Sequence, residues 1–253
     1  MEYISSNKNE KIKDLKKLEK NKGRKKQKRY LIEGEHIVHE AILNSVPIEE
    51  LYATEDFMNN DTNHLIKDEY GNTIQISDEV AKGLSETVHP QGIFAVVKIE
   101  DEADPDLTQG KWLLMDNVQD PGNVGTMIRT ADAAGFAGVI LSEDSADYLQ
   151  PKVQRSMQGS QFHINLYKMD LNTAVGEFQK NDVPVYGTLV NDRAKSYKEM
   201  EAKKDFALIM GNEAHGMSDE LADQVDQNLY IPMPGKAESL NVAIAAGILM
   251  FSL

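Results

Sequence analysis

Trp112-Leu113-Leu114-Met115-Asp116-Asn117-Val118-Gln119-Asp120-Pro121-Gly122-Asn123-Val124-Gly125-Thr126-Met127-Ile128-Arg129 passes from an unbroken apolar run, through a polar turn, into a helical period. Four apolar residues in a row, bounded by a turn, make 112–115 a buried strand. Val124, Ile128, Ala131 and Gly135 then recur on one stripe, which predicts a helix from about 123 to 134 with Asn123 as its cap. Arg129 falls off that stripe, on a lateral face, where the plain reading is a surface pair with Asp132 three residues on. Gly122 and Gly125 let another group come close to the backbone.

The same alternation continues on the carboxy-terminal side. Strands are expected at 139–141, 163–167, 185–189, 206–210 and 229–231, and helices at 151–158, 171–180, 218–225 and from 240 to the end. Strands that alternate with helices imply a mostly parallel sheet covered on both faces. The last helix, from Leu240 to Phe251, is apolar nearly all round, so it must be buried on every side, in the core or against another subunit. Ser239 is expected to cap it.

Amino-terminal to the quoted stretch lies a smaller α/β pattern. Ile12, Leu15 and Leu18 mark an amphipathic helix over 7–21, and Ile37, Val38, Ala41 and Ile42 another after a strand at 30–32. Strands follow at 48–53, 72–76 and 93–99, with a short helix at 78–85. Glu100-Asp101-Glu102-Ala103-Asp104-Pro105-Asp106 has no apolar period and reads as a linker. The expected division is 1–99, a linker at 100–110, and 111–253.

The 253 residues contain no cysteine, which excludes thiolate metal sites, iron–sulfur clusters and cysteine nucleophiles. No apolar run is long enough for a membrane span and the amino terminus is charged, so a cytoplasmic protein without a leader is expected. Net charge is −14, yet residues 1–30 carry 12 Lys/Arg against 4 Asp/Glu, a local +8 on a body of −22. A basic arm on an acidic body suggests contact with a polyanion such as RNA. The alternative is a solvated terminus.

Two further segments carry candidate chemistry. Gly211-Asn212-Glu213-Ala214-His215-Gly216 follows the apolar strand 206–210, at the carboxyl end where open α/β sheets bind ligands. A purely structural reading makes it a tight turn, with Asn212 at positive φ and Glu213 capping the next helix. Ile231-Pro232-Met233-Pro234-Gly235-Lys236-Ala237-Glu238-Ser239-Leu240-Asn241 is a long loop ending in two polar residues that open an apolar helix. A nicotinamide site on the first turn, with Glu143 or Asp144 on the ribose, lacks the full glycine fingerprint. His36 and His39 lack a third ligand nearby, so no metal is expected.

In order along the chain, Asn123-Val124-Gly125 with Arg129, Met210 to Gly216, and Ile231-Pro232-Met233 with Ser239-Leu240-Asn241-Val242 resemble the signature motifs of the SpoU (TrmH-type) branch of the SPOUT RNA methyltransferases. The likeness covers residues 110–253. Residues 31–41 and Gln91-Gly92 are similar to the small ribosomal-protein-like substrate-binding domain often joined to that catalytic domain. The resemblance implies a SPOUT-type α/β fold with a trefoil knot. It also implies S-adenosyl-L-methionine as cofactor, a ribose 2′-hydroxyl of structured RNA as acceptor, and a homodimer. Carried over, Asn123, Arg129, Glu213, Ser239 and Asn241 form the reaction site. Thr188, Leu189, Met210, Gly211, Asn212, Gly216, Ile231, Met233, Ser239 and Leu240 would hold the cofactor. RNA contacts are expected at Arg24, Lys25, Lys26, Lys28, Arg29, Glu33 and Arg155. The extra amino-terminal domain favours ribosomal over transfer RNA, and a catalytically silent assembly factor on the same scaffold is the other alternative.

Overall fold

Residues 2–61, 73–100, 103–189 and 194–253 are described by the computed structural model. Asp101 and Glu102 of the expected linker, and residue 72 of the expected strand 72–76, lie outside them. The chain divides into two units, Met1–Asp101 with Leu149–Phe162, and Glu102–Tyr148 with His163–Leu253.

The first unit contains β1 (Tyr3–Ile4), α1 (Glu10–Lys16), α2 (Asn21–Gln27), β2 (Arg29–Glu33), α3 (Glu35–Leu43), β3 (Ile48–Thr54), α4 (Glu55–Asn60), β4 (Thr73–Ile76), α5 (Asp78–Leu84) and β5 (Ile93–Lys98). Its sheet runs β1-β4-β3-β5-β2, with β5 antiparallel to both neighbours. β5 feeds two cores by the two-residue period of a strand. Ile93, Ala95 and Val97 join Tyr30, Ile37 and Val38 on one face, while Phe94 and Val96 join Ile12, Leu15 and Leu18 on the other.

That second face corrects two expectations. The single helix over 7–21 is broken: α1 passes into a 3₁₀ turn over Lys17–Glu19, Lys20 is extended, and α2 begins at Asn21. Nor does the basic segment hang free, because Ile12, Leu15 and Leu18 are buried in the core. Arg24 explains the break. It is only 2% exposed, and its Nη1 donates to the carbonyls of Leu18 and Glu19, 2.7 Å each. Those carbonyls end a helical segment and need outside partners. Arg24 is therefore a structural arginine, unavailable to RNA in this fold.

The second unit contains β6 (Lys111–Met115), α6 (Pro121–Ala133) and β7 (Gly138–Leu141); α7 (Pro151–Met157) comes next in the chain but belongs to the first unit. Then follow β8 (Asn165–Lys168), α8 (Leu171–Lys180), β9 (Val185–Thr188), β10 (Lys195–Ser196), β11 (Phe206–Met210), α9 (Asp219–Gln224), β12 (Gln227–Tyr230) and α10 (Val242–Met250). The sheet runs β10-β12-β9-β11-β6-β7-β8 and every pairing is parallel. β7 and β11 are buried along their whole length, as strands covered on both faces must be.

Differences from the sequence reading are local. Leu149 and Phe162 pack on the Tyr30 core face of the first unit, which draws in a segment that the sequence order leaves with the second. β8 starts at Asn165 rather than 163. The two-residue strands β1 and β10 are too short to show a period. α10 packs against α6 and β11 through Ala243, Ala246, Leu249 and Met250, but it is not buried all round: Ile244 is 57% and Phe251 67% exposed.

Candidate active site

The carboxyl ends of β6, β11 and β12 bring the three singled-out segments together. Asp116 follows β6 directly, its amide still donates to Met210 O of β11, and Asn117 then turns the chain at φ 55. Asp120 caps α6 by accepting from Asn123 N at 2.9 Å. Asn123 is thus in the first helical turn and not the cap. An aspartate directly before Pro121 was the signal, since proline fits the first helical position.

Residues 211–216 fold as a tight loop closed by two hydrogen bonds of 2.9 Å between Asn212 and Gly216. Gly216 takes the positive φ, 74°, expected of Asn212. The Asn212 side chain instead accepts from the amides of Ala214 and His215, and its Nδ2 donates to Asn117 O at 2.7 Å. Glycine is required at 211 because a Cβ there would lie 2.1 Å from Met217 N and 2.2 Å from the Gly216 carbonyl carbon. A larger residue would collide with the loop's own backbone.

Glu213 reaches across to α6 instead of capping α9. Its Oε1 accepts from Asn123 Nδ2 at 3.0 Å and Asp120 N at 3.1 Å, and its Oε2 from Gln119 N at 3.3 Å. Asn123 Oδ1 accepts in turn from Asn241 Nδ2 at 2.9 Å. Three of the five expected reaction-site residues, from three separate segments, form one hydrogen-bonded chain. Burial would raise the Glu213 pKa. The bonds from the Asn123 side chain, its own amide and the amides of Asp120 and Gln119 outweigh that, holding the carboxyl below its ordinary value.

Asn241, not Ser239, caps α10, accepting from Ala243 N and Ile244 N. Ser239 is exposed. Arg129 is exposed on α6 and, among the described residues, makes no hydrogen bond or ion pair. Its expected partner Asp132 pairs with His163 Nδ1 at 3.2 Å.

Beside this chain lies a crevice of ≈ 380 Å³. Thr188 and Leu189 at the end of β9, Met210, Gly211, Asn212 and Gly216 at and after the end of β11, and Ile231, Met233, Ser239 and Leu240 after β12 all line it. So do Glu213 and Glu238, while among the described residues no lysine, arginine or histidine does. That volume suits a small molecule. Apolar walls with carboxylates suit a positively charged ligand better than a dinucleotide with its phosphates. A larger cavity, ≈ 590 Å³, opens at the opposite ends of the strands, around Lys111, Trp112 and Asn165. It holds none of the motif residues.

In the first unit, Lys25, Lys26 and Lys28 are exposed. Arg29, Glu33 and Arg155 are less exposed and make internal contacts. Arg29 Nη1 lies 3.7 Å from Glu49 and 4.0 Å from Glu50. Glu33 accepts from Ser85 Oγ and Thr87 Oγ1, and Arg155 pairs with Glu86 at 2.9 Å. Among the described residues no group of three or more His, Cys, Asp or Glu could hold a metal ion. No helix among them is long and apolar enough to cross a membrane. Sequence reasoning passed over Asp116, Asp120, Ser142 and Ser145, which brace the first turn. Apart from the Asp-Pro step, their pattern carries no local signal.

A parallel α/β unit with its crevice beyond the carboxyl ends of the strands defines a ligand-binding domain of the open-sheet class. Residues 111–251 match the SpoU rRNA Methylase family and residues 9–95 the MRM3-like substrate binding domain. The chain belongs to the SpoU rRNA methylase family. It is 43% identical, over all of its length and 99% of the relative, to the 23S rRNA (guanosine(2553)-2′-O)-methyltransferase RlmP of Bacillus subtilis (strain 168). Among solved structures it resembles an AdoMet-bound rRNA methyltransferase from Sinorhizobium meliloti, with TM-score 0.86 and 27% identity, covering 99% of this chain and 96% of that one. An RNA 2′-O ribose methyltransferase matches with TM-score 0.83 and 26% identity, over 99% and 97% of the two chains.

Proposed function

We propose that this protein methylates a ribose 2′-hydroxyl of 23S ribosomal RNA from S-adenosyl-L-methionine, at the guanosine corresponding to that named for the Bacillus relative. The observation that carries this is the hydrogen-bonded chain Glu213–Asn123–Asn241 beside a crevice whose described lining is apolar with two carboxylates, Glu213 and Glu238. The relative's likeness runs through both the 1–99 and 111–253 parts, which supports ribosomal over transfer RNA. A ribosomal substrate supports a cytoplasmic reaction.

When bound, S-adenosylmethionine supplies a methyl group on a positively charged sulfur. Leu189, Ile231 and Leu240 offer it apolar walls, and Glu213 and Glu238 put negative charge at the crevice. Among the described residues, the backbone groups of Met233 and Leu240 have no protein partner, and they can read the edge of a base. Glu213, Asn123 and Asn241 orient one another and fix the edge of the site where the ribose would enter. The acceptor hydroxyl is a weak acid, so negative charge develops on its oxygen and needs stabilising. Arg129, uncommitted to any partner among the described residues, supplies a guanidinium for the neighbouring phosphate and that oxygen. Its high pKa makes it an electrostatic positioner in preference to a base.

Exposed lysines at 25, 26 and 28 suit phosphate contacts. The exposed apolar residues Leu240, Ile244 and Phe251 on and beside α10 support a homodimer through this face. The family likeness supports a trefoil knot formed where the chain after β11 returns to α6. Mapping ribose methylation in 23S RNA from cells with and without the gene tests the assignment. Loss of one 2′-O-methylguanosine is expected. An unchanged ribosomal map with a lost transfer-RNA methyl would overturn it.

A further inference from the structure

The turn after β6 has four consecutive amides, and each donates to a side-chain oxygen from another strand end. Asn117 N donates to Ser142 Oγ at 3.0 Å and Val118 N to Ser145 Oγ at 3.1 Å. Gln119 N and Asp120 N donate to the two oxygens of Glu213. Between the first two amides sits Asn117 in the left-handed region, φ 55, which asparagine adopts more readily than most residues and which its surroundings here hold in place.

The surroundings here are hydroxyls. Ser142 and Ser145 lie 2.9 Å apart, and Ser145, 5% exposed, donates to Met115 O at 3.0 Å. With that donation fixed, Ser145 Oγ accepts from Val118 N and from Ser142 Oγ–H, while Ser142 Oγ accepts from Asn117 N. The polar hydrogens of the pair are then all placed. The loop carrying them is itself tied down: Lys168 Nζ donates to the carbonyls of Glu143 and Ser145, and Ala146 N donates to Val118 O. Neither serine lines the crevice. They touch the site only through the turn that they hold.

We propose that Ser142 and Ser145 are positioning residues for methyl transfer: their hydroxyls fix the Asn117–Val118 turn so that the next two amides, and Asn123 behind them, meet Glu213. This rests on the proposed methyltransferase reading. Without the hydroxyls, two amides lose their acceptors and the left-handed turn loses the groups that impose it. Glu213 and Asn123 then shift, while the apolar crevice walls of Leu189, Ile231 and Leu240 stay in place.

The test is single-turnover methyl transfer to 23S RNA by the full chain, with calorimetric titration of S-adenosylmethionine. Wild type is compared with Ser145→Ala, Ser142→Ala and Ser142→Thr. The alanine variants are expected to transfer roughly ten- to a hundredfold more slowly, the loss that a displacement of about 1 Å produces. Their cofactor affinity should fall much less than the rate, because the apolar walls remain, which separates the chemical step from binding. Ser142→Thr keeps the hydroxyl on a half-buried residue and should restore most of the rate. Wild-type rates in both alanine variants, equal loss of rate and affinity, or threonine no better than alanine would each overturn the inference. A wild-type protein that transfers no methyl to 23S RNA refutes the functional reading instead.

Discussion

Replacing Glu213 by glutamine removes a charge while keeping the shape, and it isolates the electrostatic part of the site. The carboxylate accepts three hydrogen bonds, at 3.0, 3.1 and 3.3 Å. Glutamine keeps one oxygen for Asn123 and Asp120 and turns an NH₂ toward the Gln119 amide, donor against donor. Buried bonds to a charged group contribute about 1.5–3 kcal/mol each. Glu213 faces solvent, so the set is discounted to about 1 kcal/mol in total. For a chain of this length that lowers the melting midpoint by roughly 2–4 °C at neutral pH. The pH dependence carries the sharper test. The folded-state pKa is depressed below the ordinary 4.5, so the carboxylate's stabilisation is complete above that value and disappears as pH falls through the depressed one. Melting midpoints of both proteins, taken in steps from neutral pH into acid, should converge only below the usual carboxylate range. A gap that is absent at neutral pH, or that persists undiminished in strong acid, would show that the carboxylate is not held as described.

Gly211→Ala should abolish measurable cofactor binding in calorimetry and lower the melting midpoint as well, because the new Cβ meets Met217 N and the loop must open; intact binding would show that the loop yields cheaply. Arg24→Ala should cost about 2–3 kcal/mol by leaving the Leu18 and Glu19 carbonyls without their donor, whereas Lys25→Ala should leave thermal stability unmoved. The Lys25→Ala/Lys26→Ala pair should flatten the salt dependence of RNA binding, and an identical slope would remove these lysines from the contact surface. Arg129→Ala should melt and bind cofactor as wild type does yet lose about 10²–10³ in single-turnover rate, with lysine a poor substitute; near-normal transfer would end its catalytic role.

The sequence alone determined the parallel α/β framework and the location of the candidate site. Buried parallel strands such as 206–210 must be unbroken apolar runs, and ligands gather where such strands end, so both are written in local order. Ordered motifs with their glycines identified the family and collected the residues that line one crevice. What the sequence could not show is which groups meet across the ends of non-adjacent strands. Glu213 follows β11 and Asn123 follows β6, and they touch because those strands pair in register, from Phe206↔Lys111 to Met210↔Met115. Ser142 and Ser145 look like ordinary loop serines until β7 is placed beside β6. Arg24 sits in a lysine-rich run that reads as a charged arm. Only packing of Ile12, Leu15 and Leu18 on β5 turns it inward to serve two carbonyls. Periodicity records which face of an element is apolar. Partner choice among polar groups depends on which chain ends the sheet order brings together, and that is fixed only in the folded molecule.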